Sequence, residues 1–168
     1  EGRSEAERGN DKVVIVLTDG QNTYYTPSSL GYNDLANNGS TYSSYGYTRQ
    51  GYNGTSTTRL FMNTSNNVGK SDYSNGNYTN ALNEQFTALC NNAKAGNLII
   101  MTVSLDLSSS NSTEKAQMDA LKACSSDSRF RKGSDGNPVK LYWNSTGGNL
   151  ADTFKAIADE LSNLRIVG

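Results

Sequence analysis

An α/β fold with a mainly parallel sheet is what this sequence predicts, and three observations carry the prediction. Two largely apolar runs, Val13-Val14-Ile15-Val16-Leu17 and Leu98-Ile99-Ile100-Met101-Thr102-Val103, have the length and β-branched content of strands buried on both faces, as parallel-sheet strands are. Stretches with a helical apolar period follow and separate them. Strands that alternate with helices pack as a sheet covered by helices, joined by crossover connections.

Taken in order, residues 12 to 18 form the first strand, which stops abruptly at Thr18-Asp19-Gly20 and is expected to be central and buried on both faces. From 21 to 80 the composition changes. Nine of the ten tyrosines lie here, among Gly, Asn, Ser and Thr, with no sustained period. A structureless loop of about 60 residues is unusual in a compact domain, so short strands or turns are expected inside it. A helix of about four turns then carries Leu82, Phe86, Leu89 and Ala93 on one stripe, with Thr79 or Asn80 as its cap and Gly96 as its stop. Residues 98–105 form a second buried strand.

Asn111 caps a short helix, with Glu114 completing a capping-box-like pair and Met118, Leu121 and Cys124 on one face. Asp135-Gly136-Asn137-Pro138 is turn chemistry between Arg129-Phe130-Arg131 and Val139-Lys140-Leu141-Tyr142-Trp143, which fits a hairpin or a bent third strand. Asn149 caps a last helix with Leu150, Phe154, Ile157, Ala158, Leu161 and Leu164 on one stripe. Asp152, Asp159 and Glu160 are assigned to its solvated face. The expected organisation is one domain, with an α/β core from 12–20 and 81–167 and an inserted loop region over 21–80.

The charge balance, 15 basic against 16 acidic residues, leaves no electrostatic footprint for nucleic acid or an anionic membrane surface. No run approaches the roughly 20 apolar residues of a membrane helix. The chain has no histidine, which excludes Ser-His and Cys-His nucleophiles and histidine zinc sites. Gly69-Lys70-Ser71 imitates the end of a phosphate-binding loop, but Thr64 stands where its first glycine belongs. Six N-x-S/T sequons, at Asn38, Asn53, Asn63, Asn77, Asn111 and Asn144, are what chance supplies in a chain so rich in Asn, Ser and Thr. Cys90 and Cys124 have no zinc spacing, leaving one disulfide or two buried thiols. The disulfide is the preferred reading, because both fall late on helices flanking strand 98–105, and it implies an oxidising compartment.

Val-Val-Ile-Val-Leu-Thr-Asp-Gly at 13 to 20 resembles a strand of the von Willebrand factor A domain whose Thr-Asp-Gly aspartate belongs to a metal-ion-dependent adhesion site. Leu89-Cys90, Ala93-Lys94, Gly96, Leu121-x-x-Cys124-Ser125 and the Leu150, Phe154, Ile157, Leu164, Arg165 series are similar to the C-terminal region of TadG-like (tight-adherence, Flp) pilus-assembly proteins. The likeness covers 12 to 20 and 81 to 167. It implies a partial, Rossmann-like three-layer sandwich, non-enzymatic, exported to the periplasm or cell surface and membrane-tethered upstream. The missing Met and the polar start fit a piece of a longer protein.

The family's site needs a D-x-S-x-S strand end and a loop Thr that precede this strand, so Asp19 is the one position the resemblance carries over. Asp106-Leu107-Ser108-Ser109-Ser110 satisfies D-x-S-x-S literally, which makes Asp106, Ser108 and Ser110 substitute ligands near Asp19 if strands 12–18 and 98–105 pair in parallel. The plainer reading is a serine-rich loop. No cofactor is expected in this fragment; the resemblance allows Mg²⁺ or Ca²⁺ in a full-length domain. Tyr24, Tyr25, Tyr42, Tyr45, Tyr47 and Tyr52, set among Ser, Gly and Asn, have the composition of antibody binding loops, and they are the expected contact residues for a protein partner such as a pilus or surface component. The alternative is a structural scaffold that oligomerises, as a homodimer, through the sheet edge.

Overall fold

The computed structural model describes residues 11–20, 22–23, 64 and 75–167, together with the backbone of two short strands within 42–47. The chain divides into two compact units, one made of 22–88, the other of 1–21 with 89–168. The elements run β1 (Lys12–Thr18), β2 (Tyr42–Ser43), β3 (Gly46–Tyr47), α1 (Asn75–Ala95), β4 (Leu98–Leu105), α2 (Ser112–Cys124), β5 (Asp127–Lys132), β6 (Pro138–Lys140), β7 (Tyr142–Ser145) and α3 (Leu150–Val167). The fold is therefore mixed α/β, and its principal sheet is parallel.

In the 22–88 unit, β2 and β3 form a small antiparallel pair with Tyr42 opposite Tyr47, the kind of short element expected within 21–80. Helix α1 starts at Asn75, several residues before the predicted cap at Thr79 or Asn80. Asn, Gly, Tyr and Thr are poor helix formers, so the first turn is invisible to propensity; Tyr78, fully buried, and Ala81 define its inner stripe. The expected stripe through Leu89 is corrected, since Leu89 is 66% exposed while its neighbour Cys90 is buried. At the other end the left-handed residue is Asn97, with φ 60°, rather than Gly96. Asn tolerates that conformation well enough to end a helix.

The second unit is built around β4. The sheet order is β1-β4-β7, parallel throughout, with Thr18 level with Ser104 and Leu105 level with Ser145. Alternation along β4 sends Ile99, Met101 and Val103 to one face, where they form a core with Leu141 and with Ile157 and Leu164 of α3. The opposite face meets α2, whose Leu121 and Cys124 are buried and whose Leu121 carbonyl accepts a 2.9 Å bond from the buried Thr102 hydroxyl. A helix on each face gives three layers.

β1 departs from expectation. It is an edge strand among the described residues, and Val14, Ile15 and Leu17 are 42%, 44% and 49% exposed. A strand with one neighbour can carry the same apolar run as a strand with two, so the run alone does not place β1 at the centre of the sheet.

Both readings of the 129–143 stretch are realised. β5 and β6 form an antiparallel hairpin closed by the Gly133 N–H bond to Asn137 O at 2.8 Å, with Gly136 in the left-handed region at φ 78°. The chain then turns at Leu141, whose N–H bonds to Ser126 O and whose carbonyl accepts from Thr102 N–H, and continues as β7 in the main sheet.

On α3 three expectations change. Phe154 is 47% exposed, while Thr153, Ile157, Glu160 and Leu164 are buried. Glu160 does not sit on a solvated face: it is 2% exposed, accepts from the Ser128 hydroxyl and pairs with Arg131 Nε at 2.9 Å. Arg131 in turn lies 5.3 Å from the Trp143 ring centroid. A buried carboxylate persists only when paired and hydrogen-bonded in this way. Asn149 does not cap the helix through its side chain; its Oδ1 accepts from the Thr146 N–H at 2.7 Å. Cys90 and Cys124 are joined, with S–S 2.09 Å and Cα–Cα 5.2 Å. Lys94 Nζ donates to the Ala123 carbonyl beside them at 2.8 Å, satisfying an orphan acceptor at the end of α2.

Candidate functional site

Parallel strands deliver their carboxyl ends to one edge of a sheet, where α/β folds form ligand crevices. Here the Thr18–Ser104 register places Asp19 beside Leu105 and next to Asp106. Both aspartates line one pocket of about 660 Å³. Its exposed members include Asp19, Asp106 and Asn111, and its buried members are Leu107 and Gln117.

Each wall has a local cause. After β1 the Thr18 hydroxyl closes a tight turn, donating to Gly20 O at 3.0 Å and accepting from Gly20 N–H, which leaves the Asp19 carboxylate outside the turn. After β4 the chain reverses at Asp106, which adopts φ 52°; aspartate is among the few non-glycine residues that tolerate this region. The reversal tucks Leu107 inward, 8% exposed, with its carbonyl accepting from Asn144 Nδ2 at 2.9 Å. The Asn144 Oδ1 accepts from the buried Ser104 hydroxyl at 2.8 Å, so the loop is tied to β4 and β7.

The start of α2 forms the third wall. Asn111 Oδ1 accepts from the N–H groups of Thr113 and Glu114, as predicted for its cap. Glu114 completes the box through other atoms than expected: its Oε2 accepts from Ser108 N–H at 2.7 Å and its Oε1 from Asn111 Nδ2 at 3.1 Å. Both carboxylate oxygens are thus engaged, and the helix N-terminus favours their charge. One turn later, Gln117 is 7% exposed, lines the pocket, and its side-chain amide has no hydrogen bond among the described residues.

Of the residues expected to hold a metal, the structure brings Asp19 and Asp106 to one pocket. It does not bring Ser108 and Ser110, whose hydroxyls bond each other at 2.7 Å and which are not part of the lining. No three acidic or thiol side chains converge for a metal ion among the described residues. The carboxylates of Asp19 and Asp106 have no hydrogen bond or ion pair among the described residues, although the Asp106 backbone N–H bonds the Ser145 carbonyl at 2.7 Å. Of the tyrosines expected at a partner surface, Tyr42 and Tyr47 lie in the β2–β3 pair, while Tyr24, Tyr25, Tyr45 and Tyr52 fall outside the described residues.

Sequence reasoning missed Gln117 and the inward Leu107. Gln117 carried a signal, because it stands four residues before Leu121 and seven before Cys124, on the apolar stripe of α2, where a polar side chain is out of place. Compared with known proteins, the chain matches no family model, no curated protein and no solved structure.

Proposed function

We propose that the chain is a non-enzymatic adhesion or pilus-assembly module of von Willebrand factor A-like fold, exported and tethered upstream, which holds a protein partner on loops at the carboxyl edge of its sheet. The observation that carries this reading is the meeting of the Thr18-Asp19-Gly20 turn and the Asp106 loop at one open pocket on that edge. The parallel β1-β4-β7 order supports the fold assignment, and the Cys90–Cys124 bridge supports an oxidising, exported location. The Tyr/Ser/Gly/Asn composition of 21–80 adds contact area at low entropy cost.

Binding of the purified chain to isolated pilus filaments, with and without residues 38–58, tests the proposal. Loop shortening costs little entropy, so the deletion is expected to abolish binding while the α/β circular dichroism spectrum persists. Unchanged binding overturns the assignment of those loops, and global unfolding moves the tyrosines into the core.

A second reading, the scaffold that assembles through its sheet edge, is favoured by the exposure of Val14, Ile15 and Leu17 on β1. An apolar edge strand is a template for pairing. Under this reading sedimentation detects a dimer that Ile15→Lys dissolves; a chain that sediments as a monomer at high concentration removes it.

A further inference from the structure

We infer that the pocket between the ends of β1 and β4 and the start of α2 receives an organic cation, the ammonium or guanidinium of a Lys or Arg side chain presented by the partner. The inference rests on the partner-binding reading above and gives its contact a chemistry.

Among the described residues three carboxylates line the pocket, Asp19, Asp106 and Glu114, and no basic side chain does. An acidic lining alone would be a solvated rim. What turns it into a site is Gln117, more than nine-tenths buried in the pocket wall, whose side-chain amide has no hydrogen bond among the described residues. Buried amides are nearly always satisfied, and an orphan marks a place where a partner group belongs. Its carbonyl oxygen is an unused acceptor, and the free carboxylates of Asp19 and Asp106 are acceptors with charge.

An acceptor-rich pocket asks for a ligand that is all donor, and ammonium and guanidinium groups are donors without acceptors. Leu105 and Leu107 supply apolar wall, against which the methylene stem of such a side chain packs while its head stays among the oxygens. A hard divalent cation needs six to eight oxygens gathered at one point. Here Glu114 spends both oxygens on Ser108 and Asn111, and the Ser108 and Ser110 hydroxyls are occupied with each other. Separated acceptors suit an organic cation, whose several N–H donors point in different directions.

The test is a nuclear magnetic resonance titration of the whole chain with n-butylammonium and n-butylguanidinium, reading the Gln117 side-chain amide and the Gly20 and Leu107 backbone amides. Saturable shifts are expected with both cations and none with neutral N-butylacetamide at equal concentration. Asp19→Asn, Asp106→Asn and Gln117→Leu should each weaken binding at least fivefold. Asn at 106 retains tolerance of the left-handed backbone, and unchanged β4 amide shifts verify the fold of each variant. The wild-type comparison of charged and neutral probes stands even if a variant fails to fold. Shifts that never saturate, equal binding in the variants, or a response to N-butylacetamide overturn the inference. So does Mn²⁺ that broadens Gln117 at micromolar concentration and resists displacement by n-butylguanidinium. Because the probes are fragments, such failures remove the cation pocket and leave partner binding to be judged by the 38–58 deletion.

Discussion

Strands β1 and β4 are chemically alike, KVVIVLT beside LIIMTVSL, and they lie side by side in register. β4 is buried at six consecutive positions, whereas β1 has no buried residue along its length. The difference comes from neighbours. β4 has a strand on either side, α3 over its odd-numbered residues and α2 over its even-numbered ones; β1 has one described strand neighbour. Composition therefore establishes that a segment is a strand, and its place in the sheet decides how much its side chains contribute.

Four measurements sharpen or break this comparison. The largest effect belongs to the bridge that joins the ends of the helices before and after β4. Replacing Cys90 and Cys124 by Ser should cost about 4 kcal/mol, the loop-closure entropy of a cross-link spanning 34 residues, read from urea unfolding. A cost below about 1 kcal/mol would mean that α2 is held against β4 without help from the bridge. Next comes the direct contrast: Met101→Ala on β4 should cost about 3 kcal/mol, and its register partner Ile15→Ala on β1 under about 1 kcal/mol, because much of that side chain already meets water. Equal costs would show that β1 is covered in solution.

Smaller and opposite in sign is Gln117→Leu, which removes an unsatisfied amide from the α2 face beside β4. It should raise stability by about 1 kcal/mol, so the pocket trades stability for an acceptor; a destabilisation of that size would show that Gln117 already has a partner. The smallest effect concerns the far edge of β4. The Tyr142 phenol and the Ser104 hydroxyl are hydrogen-bonded at 2.9 Å. Burial raises the Tyr142 pKa above its ordinary value of 10.0, and Asp119 adds to the rise while the Ser104 bond opposes it. A raised folded-state pKa stabilises fully below pH 10 and loses that contribution as pH climbs through the folded value. Tyr142→Phe should therefore flatten the alkaline limb of the stability profile, and an unaltered limb above pH 10 would assign it to lysines instead.

What could be read from the sequence was local. The β4 run, the Asn111 cap, the Asp135-Gly136 turn and the helical period of α2 each depend on residues within a few positions, and each appears where expected. What was missed depends on distant partners. Glu160 looked solvated until Arg131 and Ser128, 29 and 32 residues away, closed over it. β1 looked central because nothing in its own residues counts its neighbours. At the site, Asp19 and Asp106 were legible as strand-end aspartates, but the pairing of Ser108 with Ser110 and the orphaned amide of Gln117 emerge only when the loop and α2 fold together.

The Cys90–Cys124 bridge also has a mechanical meaning. The chain between the two cysteines contains all of β4 and α2, and the covalent link carries a pull around them. Stretching the molecule from outside the loop cannot extend this segment, so about 115 Å of contour length stays locked away at 3.3–3.6 Å per residue. The central strand and the helix that covers one of its faces would remain together after β1 had been peeled off, leaving a short tethered template on which the sheet could re-form once the load was released.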